Sequence, residues 1–105
     1  MNAIINNKNA ITINGKKIEI KNVDFSAICE LEELGLEFLN IQRKLFASIR
    51  ILMAFNANIT LEEAGVEIES HIKNGGNITD LTVMVEAITD SDFFKDLIAR
   101  NQKKG

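Results

Sequence analysis

The 105-residue chain has no tryptophan, no tyrosine and no proline, and it carries one cysteine and one histidine. Each scarcity removes a class of function. Six phenylalanines are its only benzenoid rings, which offers little for stacking sugars or bases and counts against carbohydrate chemistry and single-strand binding. Cys29 alone excludes an internal disulfide framework and agrees with a reducing compartment. No apolar run approaches the ~18–20 residues of a spanning helix, and the N-terminus lacks the charged, apolar and small-residue segments of a signal peptide. A cytoplasmic protein with no membrane partner is expected. No proline, low-complexity linker or internal repeat marks a second domain, so residues 1–105 are read as one.

What is present has the balance of an ordinary globular protein, 46% apolar and 26% charged. The net charge is -3, without the basic surplus that a nucleic-acid surface needs. Along the chain the sign alternates. Residues 1–23 are basic, 24–39 acidic, 40–58 basic and 59–80 acidic, a pattern of charges complementing one another within a fold. No nucleic-acid partner is expected.

Residues 1–9, rich in asparagine, show no period and read as a flexible leader. From Ala10, Ile11, Ile13, Ile18 and Ile20 alternate with polar residues about Asn14-Gly15, predicting a β-hairpin over 10–22 with a type I′ turn. An isolated hairpin is marginal in water, so its isoleucine face must pack on helices or on a partner strand. Asp24 reads as an N-cap for a helix with Phe25, Ile28, Cys29, Leu31 and Leu34 on its apolar side, closed by Gly35. A second helix is expected from Asn40 to Ala57, with Ile41, Leu45, Phe46, Ile49, Leu52 and Met53 along one stripe.

That helix carries more apolar surface than one stripe explains. Ile51 and Phe55 project outside the arc, leaving only the side near Arg43 and Arg50 polar. Such a helix is either central in its own bundle or keeps a second face for another chain. Thr60-Leu61-Glu62-Glu63 spells a capping box. The helix it opens carries Leu61, Ala64, Ile68 and Ile72 and ends at Asn74-Gly75-Gly76-Asn77, with Gly65 either weakening it or allowing close approach. A fourth helix opens near Thr79-Asp80 with Leu81, Met84, Val85 and Ile88. A last amphipathic stretch carries Phe93, Phe94, Leu97 and Ile98, before residues 101–105 fray. The expected fold is α+β, mainly α: an N-terminal β-hairpin packed on a bundle of four to five helices over residues 24–100.

Chemistry is sparse. Gly75-Gly76 follows a helix instead of linking strand to helix, so it is no phosphate loop. His71 and Cys29 lack the further ligands of a metal site, and Glu67, four residues before His71, offers it a local hydrogen bond. Cys29 has no basic neighbour to activate it and reads as a small buried hydrophobe. Glu30, Glu32, Glu33 and Glu37, then Glu62, Glu63, Glu67 and Glu69, fall in first turns or on wet faces. No enzyme and no cofactor are expected.

The order of parts is more telling than any one of them. A hairpin reading Ile-Thr-Ile-Asn-Gly-Lys-Lys-Ile-Glu-Ile leads to Asp24-Phe25 and a helix containing Cys29-Glu30-Leu31-Glu32-Glu33-Leu34-Gly35, then an apolar helix, then Thr60-Leu61-Glu62-Glu63-Ala64. Over residues 10–90 this order resembles the tail assembly chaperones of siphophages, or prophages, of Gram-positive bacteria. The asparagine-rich leader and the glycine break at 74–77 depart from the pattern. The resemblance implies a protein that binds the tape measure protein, shields its apolar surface and recruits tail tube subunits in the host cytoplasm, leaving before the virion is finished. Such proteins are often also made as a longer, frameshifted form. A chaperone for an amphipathic helix needs an apolar flank. Ile51 and Phe55 are the first candidates for it, with Phe46, Met53, Phe93 and Phe94 as secondary ones. Self-association is left open. The competing expectations are a tail completion or head-tail connector subunit retained in the virion, and a small regulatory binding module.

Overall fold

The computed structural model describes residues 10–104; the leader expected over residues 1–9 lies outside them. Strands β1 (Ala10–Ile13) and β2 (Lys16–Glu19) pair antiparallel with Ile11 opposite Ile18 and Ile13 opposite Lys16. Asn14 and Gly15 between them both take positive φ, 54° and 79°, as a type I′ turn demands. Five helices follow: α1 Phe25–Glu33, α2 Leu45–Ala57, α3 Leu61–Lys73, α4 Thr79–Thr89 and α5 Asp92–Lys104. The fold is therefore α+β and mainly helical, as the periodicities require. Helix α5 continues past residue 100, since Asn101 to Lys104 contain no breaker.

Side-chain caps and left-handed residues set the helix ends. The Asp24 carboxylate accepts from Ala27 N–H at 2.9 Å to open α1. Gly35 (φ 107°) closes it: its N–H donates to Glu32 O and that of Leu36 to Leu31 O, a Schellman motif with Leu31 and Leu36 both buried. Thr60 and Glu63 form the full capping box of α3. At its far end Gly75 (φ 98°) and Gly76 donate to Ile72 O and His71 O, a second Schellman motif.

Two further features differ from what the sequence predicts. Helix α2 starts at Leu45, not Asn40, because Lys44 (φ -118°, ψ 51°) leaves helical geometry and has no capping side chain. A single 3-10 turn, Phe38–Asn40, and further turns occupy the preceding stretch, tied by the Glu37 carboxylate accepting from Asn40 Nδ2 and Lys44 Nζ. The other difference is the wet side of α1: its buried residues are Ala27 and Leu31, while Phe25 is 64% exposed and Leu34 also reaches solvent.

Helix α2 is the centre of the bundle. It touches β2, α1, α3 and α4, and Ile49, Leu52 and Met53 are each almost fully buried. Ile11 and Ile13 of the hairpin, Leu31, Ala64 and the α4 set Leu81, Met84, Val85 and Ile88 complete one core. A helix enclosed on so many sides must be apolar nearly all round, which accounts for its composition.

Candidate functional site

The secondary candidates Phe93 and Phe94 stand at the first turn of α5, which Ser91 opens. Its Oγ accepts from Phe94 N–H at 3.2 Å and donates to Ile88 O at 2.7 Å, so it links the end of α4 to the start of α5. Being adjacent on a helix, the two rings diverge by ~100°. Phe93 meets Phe25 of α1, centroids 5.9 Å apart and planes tilted 58°. Phe94 meets Phe38 of the 3-10 turn at 6.3 Å and 37°. Both separations fall in the range of favourable tilted aromatic pairs.

The two pairs differ in access. Phe38 and Phe94 are half-buried against the core. Phe25 and Phe93 stay open, at 64% and 37%, and Leu97, one turn along α5 from Phe93, is exposed as well. The result is a two-ring apolar surface at the α1–α5 contact, continued along α5 by Leu97. Leu39, beside Phe38, is 89% exposed. Phe46, on the first turn of α2, is 72% exposed.

The remaining candidates are corrected by burial. Ile51 and Phe55, which project outside the α2 stripe and are candidates for a second face, and Met53 are core residues, as in a central helix. Ile51 lies under the α1 C-terminus, its Cδ1 within 3.8 Å of where a β-carbon on Gly35 would be. Phe55 lies beneath Lys21, whose ammonium sits 4.6 Å above the ring and donates to Asn58 Oδ1 at 2.7 Å. Both covers come from residues distant in sequence, so the helix's own period could not reveal them. Phe25, expected on the apolar side of α1, is instead exposed, because that helix turns Ala27 and Leu31 inward.

Polar side chains hold the hairpin and the connections. The buried Asn56 amide accepts from Lys21 N–H at 2.7 Å and donates to Leu52 O at 2.9 Å. Glu67 does not meet His71. Its carboxylate accepts from Asn14 Nδ2 at 2.7 Å and Lys16 Nζ at 3.1 Å, fastening the turn to α3. These contacts, the Asn14 amide foremost, hold its carboxyl below the ordinary range. His71 Nε2 instead donates to Asp80 Oδ2 at 3.0 Å. Asp80 also accepts from Asn77 N–H at 3.0 Å, and these bonds, the backbone one foremost, lower its carboxyl too.

Cys29 is only partly buried, on α1. Among the described residues no three His, Cys, Asp or Glu side chains are grouped to hold a metal ion, and no helix is long and apolar enough to cross a membrane. A groove of about 450 Å³ runs between β2 and the end of α2, lined by Lys17, Ile18, Met53, Ala57 and Ile59 among others. No family model, curated protein or solved structure matches this chain.

Proposed function

We propose that this chain is a non-catalytic, protein-binding assembly factor of the tail assembly chaperone kind. In this reading it acts in the host cytoplasm, holds an apolar face of the tape measure protein, recruits tail tube subunits and leaves before the virion is complete. The observation that carries the binding part is the Phe25–Phe93 pair, two rings in mutual contact and both open to solvent. Accessible aromatic anchors of this type are where binding energy concentrates in protein interfaces. The identity of the partner rests on the ordered resemblance of residues 10–90, from the Asn-Gly hairpin to the Thr60 capping box. An amphipathic helix is a suitable occupant, because it offers apolar residues one turn apart to match Phe93 and Leu97 along α5.

The test is co-expression with the tape measure protein encoded nearby, using wild type and a Phe25→Asp, Phe93→Asp double variant. Wild type keeps the partner soluble and co-purifies with it, and the variant, folded by circular dichroism, does not. If wild type leaves the partner insoluble and uncomplexed, the chaperone reading fails. Retention of the chain in purified virions counts for the structural-subunit alternative.

A further inference from the structure

Among the described residues the sheet has two strands, so the outer edge of β2 carries no partner strand. In a hairpin closed by a two-residue turn, the pair flanking the turn is hydrogen-bonded and bonded pairs alternate from there. Ile13 with Lys16 and Ile11 with Ile18 are the bonded pairs. The backbone N–H and C=O groups of Lys17 and Glu19 therefore point away from β1. Lys21 has the same parity, and its N–H does turn outward to Asn56 Oδ1. Among the described residues, Lys17 and Glu19 have no partner on that side. The groove between β2 and α2 lies alongside them.

An open edge bearing lysine ordinarily repels a second copy of itself. Here Glu19 changes that. Lys17 and Glu19 are both exposed on the same face of β2, and they are symmetric about Ile18. We propose that β2 pairs antiparallel with β2 of a second copy, centred on Ile18, so that two hairpins join into one sheet across a two-fold axis. Lys17 then lies opposite the partner's Glu19, and Glu19 opposite the partner's Lys17. The same residues exchange their free backbone bonds, while Ile18 meets the partner's Ile18 on the apolar face. Neighbouring registers are excluded by charge: centring on residue 17 sets lysine against lysine, and centring on residue 19 sets glutamate against glutamate. The Asn56 contacts sit at opposite ends of the paired strands and limit its length. This pairing does not depend on what the Phe25–Phe93 surface binds.

Sedimentation equilibrium of the full chain at low salt, from about 10 µM to about 1 mM, tests it. The mass should rise from 11.7 kDa toward twice that value. Lys17→Glu and Glu19→Lys each place like charges opposite one another and should weaken association about tenfold. A one-to-one mixture of the two single variants restores the complement and should recover it, as should the double variant K17E/E19K. A wild type that stays monomeric throughout overturns the proposal. Single variants that associate as tightly as wild type, or a mixture that recovers nothing, also overturn it.

Discussion

The imidazole of His71 occupies the space that a β-carbon on Gly76 would need. The ring is held there by Asp80 Oδ2 at 3.0 Å, and Asp80 also accepts from Asn77 N–H, so one histidine joins the end of α3 to the start of α4. Gly76 closes the α3 Schellman motif through its N–H, yet does not need a left-handed backbone. What it must lack is a side chain. Gly76→Ala should displace the ring and break its bond to Asp80, read as a small lowering of the urea midpoint. In a His71→Ala background the same substitution should cost nearly nothing, because the two changes remove one interaction.

Gly65 is the opposite case. A β-carbon there would touch only Arg50 Cδ at an ordinary 3.6 Å, so no close approach requires glycine in the middle of α3. Gly65→Ala should raise stability by about 0.5–1 kcal/mol through helix propensity and a less free unfolded chain. The gain should appear as a higher denaturant midpoint with an unchanged slope.

These two glycines show where a sequence speaks and where it does not. The Asn14-Gly15 turn, the Asp24 cap, the Thr60–Glu63 box and the Gly35 and Gly75 helix ends are local chemistry, and each stands as its residues predict. The environment of α2 is not local. Lys21 roofs Phe55 and the Gly35 bend covers Ile51, contacts between segments far apart in sequence that no helical period encodes. Glu67 similarly bonds across the fold to the hairpin turn instead of one turn along its helix to His71. Phe25 remained open because α1 turns its Ala27–Leu31 side inward.

Glu67 makes the hairpin contact pH-dependent. Asn14 and Lys16 hold its folded carboxyl below the ordinary value of 4.5, so the contact contributes fully above that value. It is lost as pH falls below 4.5 toward the lower folded value, where the carboxylate takes a proton. Thermal melts of wild type and Glu67→Gln from about pH 7 to about pH 3 should therefore differ at the upper end and converge at the lower. A gap that persists unchanged at the acid end would refute the assignment.

Asn56 closes the strand edge that Lys17 and Glu19 leave open. Replacing it with leucine keeps the branched shape but leaves Lys21 N–H facing an apolar side chain without its acceptor. The expected cost is about 1–3 kcal/mol. Hydrogen exchange at Lys21 should accelerate beyond the change in global stability, since the amide loses its own bond as well.

The candidate surface and the core can be separated by the same substitution made in two places. An aspartate at Ile51 would put an unpaired carboxylate into the core, where the native side chain is less than a tenth exposed. Such a group costs about 3–5 kcal/mol, a large share of the stability of a domain this size, so Ile51→Asp should unfold or expose its core to a hydrophobic dye. Phe25→Asp changes a ring already 64% exposed that pairs with Phe93. It forfeits about 0.5–1.5 kcal/mol of aromatic pairing and should keep the native circular dichroism spectrum and a cooperative melt. The contrast matters for binding experiments. Loss of a partner in Ile51→Asp would report unfolding, whereas loss of a partner in folded Phe25→Asp would report the surface itself.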